Sequence, residues 1–121
     1  MNRSFKFEAR DIVLQELEAN TPKVPFAIEA PKGAISVSKP TPYAAKMTRE
    51  SRATRSMMWL WMGEVAADQQ GRRVLATSQK GDMQAPKDIA KNYPATMHLR
   101  LYGMNANGKV YELDSGLQIN P

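Results

Sequence analysis

Apolar and polar residues alternate most cleanly toward the C-terminus. Over residues 95–104, Met97, Leu99, Leu101 and Gly103 fall on one side, and His98, Arg100 and Tyr102 on the other. That period of two is the pattern of a half-buried strand. A second extended run covers 109–119, with Asn105-Ala106-Asn107-Gly108 between the two. Register follows from the loop length that keeps one face dry. A two-residue Asn107-Gly108 loop sets Leu99 opposite Gly116 and Leu101 opposite Asp114, which strands apolar side chains. A three-residue Ala106-Asn107-Gly108 loop pairs Leu101 with Leu113, Met97 with Leu117 and Gly103 with Tyr111, and sets Arg100 against Asp114 on the polar face. Such loops end on a residue in the left-handed region, which suits Gly108. The pattern predicts this hairpin in the second register.

A second hairpin is predicted before it. Met57-Met58-Trp59-Leu60-Trp61-Met62 runs on through Val65, a turn cluster stands at Asp68-Gln69-Gln70-Gly71, and Arg72-Arg73-Val74-Leu75-Ala76-Thr77 returns. Both faces of its first strand are apolar, with Met57, Trp59, Trp61 and Val65 on one and Met58, Leu60 and Met62 on the other. Such a strand is either central in the fold or turns one face to a partner.

Elsewhere the signals are shorter. Val13 and Leu17, four apart beside Ile12 and Leu14 and behind Asp11, predict a short helix over 11–19, although Phe5 and Phe7 alternate as in a strand. Phe26-Ala27-Ile28 and Ala34-Ile35-Ser36-Val37 read as short strands around Pro31-Lys32-Gly33. Residues 85–93 read as a short helical turn between Pro86 and Pro94. The predicted fold is mainly β: a small antiparallel β-sandwich, or partly open barrel, with one short N-terminal helix and an extended basic Pro-rich arm.

Charge changes this picture at one place. Residues 21–55 carry Lys23, Lys32, Lys39, Lys46, Arg49, Arg52 and Arg55 against Glu29 and Glu50, which accounts for the +5 of the whole chain. The same stretch holds Pro22, Pro25, Pro31, Pro40 and Pro42, residues that lack a ladder donor and favour extended neighbours. We therefore read 1–121 as a single domain in which 21–55 is the arm and 56–121 forms the compact core from two hairpins. A length of 121 residues suits one domain. The absence of cysteine excludes a disulfide framework and a thiolate nucleophile. No apolar run reaches signal-peptide or membrane-span length, so the expectation is a chain made in the cytoplasm, with a virion as one destination.

Catalytic chemistry finds no motif. His98 is the only histidine and sits on a polar strand face, too little for a metal site or a triad. No phosphate loop or dinucleotide fingerprint occurs. The expectation is a protein that is not an enzyme, with no cofactor, no metal and no small-molecule substrate.

The run Leu99-Arg100-Leu101-Tyr102-Gly103-Met104-Asn105-Ala106-Asn107-Gly108 resembles the penultimate strand and following turn of fibronectin type III domains. The resemblance covers about ten residues and implies a β-sandwich used for contacts, with no catalytic residues to carry over. The tryptophan of that family's short second strand has no clear counterpart, and the basic arm stands where its first strands would be.

Binding is the better prospect. Lys46, Arg49, Arg52 and Arg55 recur every third residue, a spacing that on a helix gathers them on one broad side. With Trp59 and Trp61 they make a candidate partner-binding set for a structural or adaptor subunit of a larger assembly, such as a virion, phage or secretion machine. Its partners would be proteins, a second copy of the chain among them, or another acidic surface, and not a membrane. The alternative is a small β-barrel that binds single-stranded nucleic acid, stacking bases on Trp59, Trp61 or Tyr102 and tracking phosphates with Arg52, Arg55, Arg72, Arg73 and Arg100.

Overall fold

The hairpin at 95–119 forms in the register that keeps its apolar face dry. The computed structural model describes residues 24–49, 54–65 and 72–121. Its strands in chain order are β1 (Phe26–Ala30), β2 (Ala34–Ser36), β3 (Thr41–Met47), β4 (Met58–Val65), β5 (Arg72–Ala76), β6 (Lys80–Met83), β7 (Ala95–Met104) and β8 (Val110–Asn120). Strands take about 60% of the described residues and helices none of them, so the fold is mainly β. Leu101 lies opposite Leu113, Met97 opposite Leu117, Gly103 opposite Tyr111 and Arg100 opposite Asp114. The turn closes with Gly108 N donating to Asn105 O at 3.0 Å. Asn105 Oδ1 accepts from the amides of Asn107 (2.9 Å) and Lys109 (3.0 Å). Gly108 takes φ +83°, the left-handed conformation this loop requires.

The predicted second hairpin, β4–β5, is present as well, with an irregularity between Trp61 and Met62. β4 pairs with β7 along its whole length, from Met58 opposite Met104 to Val65 opposite Met97. It is therefore an interior strand of a five-stranded sheet ordered β2-β8-β7-β4-β5, while β1, β3 and β6 form a second sheet in the order β1-β3-β6. The two sheets share one core. Phe26, Tyr43, Ala45 and Met83 come from the smaller sheet, and Trp61, Met97, Leu99, Leu101, Leu117 and Ile119 from the larger. Trp61 joins them. It is fully buried, its ring meets Tyr43 edge-on at 5.0 Å, and its Nε1 donates to Ser78 O at 2.7 Å. A buried indole N–H needs such an acceptor, and the bond fixes the β5–β6 connection against the core.

Three expectations change. The stretch read as an arm is extended, but about half of its described part is strand: β1, β2 and β3 lie within it, and Phe26, Ile35, Val37, Tyr43 and Ala45 are core residues. The core is therefore built jointly from 26–47 and 58–119. The physical reason is visible at Tyr43, Ala45 and Met47, which alternate behind Pro42 and bury their side of β3. Secondly, β2 runs parallel to the end of β8, with Ile35 opposite Ile119, so the pairing is not wholly antiparallel. Thirdly, residues 85–93 hold a turn, with Ile89 N donating to Pro86 O at 3.2 Å, and no helix. The fully buried Ile89 pins that turn inward. The helix predicted over 11–19 and the alternation at Phe5 and Phe7 lie outside the described residues.

Candidate functional site

The larger sheet has two unlike ends on its outward face. Paired rows Met58–Met104–Val110 and Leu60–Tyr102–Glu112 give way to Met62–Arg100–Asp114 and Glu64–His98–Gly116. The first rows carry a second apolar cluster of Leu60, Tyr102, Met104 and Val110, flanked by Met58 and Met62. The last rows carry a lattice of charge. Glu64 takes Arg72 and Arg100 on its two oxygens, each at 3.3 Å. Asp114 lies 3.4 Å from His98 Nδ1 and 3.8 Å from Arg100 Nε. Burial opposes the Arg100 charge, but Tyr102, Glu64 and Asp114 around it outweigh that and raise its pKa. Burial also pushes the Tyr102 phenol well above its ordinary value, helped by its hydrogen bond to Glu112 and that carboxylate's charge.

These positions bear on the nucleic-acid candidates. Arg72 and Arg100 are ion-paired with Glu64, and Arg73 with Asp88 at 3.2 Å. Tyr102 is buried and offers no stacking platform. Arg52 lies outside the described residues. Arg55 remains, in an exposed turn.

The partner-binding candidates come together differently. A cleft of about 310 Å³ opens where the end of β3, the turn at 54–56 and the start of β4 meet, lined by Met47, Thr54, Arg55, Ser56, Met57, Trp59 and Gln79. Its floor is continuous with the core, since Met47 and Met57 pack against the buried cluster that includes Trp59. Phe26 holds the Trp59 ring edge-on at 4.9 Å. One wall is fixed by reciprocal bonds: Ala45 N donates to Gln79 O at 2.9 Å and Gln79 Nε2 to Ala45 O at 3.0 Å. The basic run is tethered at its start, because the amides of Thr48 and Arg49 both donate to Pro25 O, at 2.8 and 3.2 Å.

Of the six partner-binding residues read from sequence, Arg55 and Trp59 line this cleft, while Lys46 and Arg49 are exposed and are not among its lining residues. Trp61 is removed to the interior, and only the edge of Trp59 reaches the surface. The every-third-residue spacing does not act through a helix where it is described, since Lys46 ends on a strand and Arg55 in a turn. Met47 and Gln79 were not singled out by sequence. Met47 could have been found from its alternation with Tyr43 and Ala45, whereas nothing local marks Gln79. Among the described residues, no three His, Asp or Glu side chains gather as a metal site would require.

No family model matches this chain, and neither the curated proteins nor the solved structures include a match. The likeness to fibronectin type III domains thus stays that of one hairpin.

Proposed function

We propose that this chain is a non-enzymatic structural or adaptor subunit of a larger macromolecular assembly, of the virion, phage or secretion-machine kind. We read its two sheets as a small β-sandwich or partly open barrel that serves as the docking body. The observation that carries the proposal is the cleft in which the basic segment meets an apolar floor: Arg55 beside Met47, Met57 and the edge of Trp59. Methionines adapt to varied apolar shapes, and an arginine at the rim selects a carboxylate. The partner that fits is a protein segment with apolar side chains next to acidic ones, drawn by a chain of net charge +5. The ion pairing of Arg72, Arg73 and Arg100 favours this reading over single-stranded nucleic acid, because a phosphate strand would have to displace existing carboxylates.

Light scattering tests it, at low and moderate salt, with and without a short single-stranded oligonucleotide. We expect self-association that ignores the oligonucleotide and that Arg55→Glu with Met57→Asp abolishes while the fold persists. A complex with the oligonucleotide that dissolves as salt rises would replace the assembly reading with the nucleic-acid one.

A further inference from the structure

The two tryptophans of β4 are both buried, but their indole N–H groups fare differently. Trp61 Nε1 donates to Ser78 O at 2.7 Å. Trp59 is only 8% exposed, yet among the described residues its Nε1 meets no acceptor. Nor is that nitrogen sealed from solvent. The surface that Trp59 does expose lines the cleft with Met47 and Met57. An indole donor in an apolar wall costs free energy while it is unpaired, and the cleft is where an acceptor can reach it.

Charge at the rim narrows the acceptor. Among the described residues Arg55 has no carboxylate partner, whereas Arg72, Arg73 and Arg100 each have one. A neutral carbonyl would satisfy Trp59 alone. A carboxylate satisfies both, because its two oxygens accept charge-assisted bonds from two donors. Size narrows the rest. The cleft's volume of about 310 Å³ is that of about ten waters. It admits two modest side chains, and not a helix about 10 Å across. Along an extended segment adjacent side chains point to opposite sides, so two that enter together are two residues apart.

We propose that Trp59 Nε1 and Arg55 together select a carboxylate in this cleft, offered by an extended protein segment that carries a large apolar residue and, two residues along, an aspartate or glutamate. The apolar side chain lies on Met47 and Met57. The carboxylate accepts one hydrogen bond from the indole and one from the guanidinium. This rests on the cleft being a docking site and adds its selectivity: Trp59 is the specificity-determining residue, and an amide in place of the acid forfeits the charge-assisted bonds.

Three short peptides probe it: acetyl-Ser-Leu-Ser-Glu-Ser-amide, its form with Gln for Glu, and its form with Ala for Leu. The two indole N–H signals of the isotope-labelled natural chain are followed by NMR during titration, so the result does not depend on a variant that folds. The glutamate peptide should move the Trp59 signal and leave that of Trp61 in place, and the other two should bind at least about fivefold more weakly. Trp59→Phe keeps an aromatic ring without the donor, and should narrow the preference for glutamate over glutamine. A Trp59 signal moved equally by the glutamate and glutamine peptides, or a Trp61 signal that moves with it, overturns the proposal. Binding of the glutamate peptide that leaves the Trp59 signal in place overturns it too, with the docking site itself intact. No binding by any of the three removes both.

Discussion

The two faces of the five-stranded sheet are made differently. The inward face carries one large apolar core: Trp59, Trp61, Met97, Leu99, Leu101, Leu117 and Ile119 all enter it. The outward face divides along the strands, with Leu60, Tyr102, Met104 and Val110 at one end and Glu64, Arg100, His98 and Asp114 at the other. The inward face is filled by the smaller sheet. The outward face carries its apolar cluster at one end only, with compensated charge beyond it. Sheet pairing alone does not make the faces equivalent; what lies above each one does.

The comparison breaks most readily on the inward side. Leu101→Asp places an unpaired charge at a fully buried position and should cost about 5 kcal/mol or more, enough to unfold a domain whose whole stability is about 5–15 kcal/mol. Loss of the thermal transition would show it. Leu99→Ala and Leu60→Ala, one from each face, sharpen the contrast. Both should cost about 2–5 kcal/mol in denaturant melts if both faces are covered, and a near-zero value for Leu60→Ala would make the outward face open surface. Gly103→Ala should cost about 1–3 kcal/mol, because a Cβ there would lie 2.7 Å from Phe26 Cε2 and 2.8 Å from Met57 Cε.

Titration separates the faces as well. The Tyr102 phenol has a raised pKa in the folded chain, chiefly through burial. Its contribution is thus complete below the ordinary phenol value of about 10 and is lost as pH climbs beyond it, since the unfolded chain releases that proton first. Stability should fall above about pH 10, and Tyr102→Phe should flatten that part of the profile in urea melts across pH. The smallest effect belongs to His98→Ala. With His98 half exposed beside Asp114, it should change stability by no more than about 0.5 kcal/mol.

Legibility in the sequence followed locality. The β7–β8 register was readable because the loop length, the alternation and the Arg100–Asp114 pair all point to one answer. β4 read correctly as apolar on both sides, but its neighbours were not readable, since pairing with β7 spans some forty residues of chain. β3 was hidden by Pro42, whose missing donor suggested an arm; its side chain points outward while Tyr43 and Ala45 point in. β6, Lys80-Gly81-Asp82-Met83, has no strand composition and exists by pairing with β3. The parallel β2–β8 contact joins the two ends of the described fold, which no local pattern encodes. Of the candidate site, Arg55 and Trp59 were legible as a basic residue and an aromatic. Their meeting with Gln79 depends on the sheets closing.

The methionines offer the most direct measurement, because they sample the core, the outward face and the cleft. Peroxide oxidation of the natural chain, followed residue by residue by mass spectrometry, should leave buried Met83, Met97 and Met104 slow, while half-buried Met47 and Met57 at the cleft oxidise faster. Oxidation of Met104 as fast as Met47 and Met57 would show an uncovered outward face and contradict a sheet that is buried on both sides with its docking surface confined to the cleft.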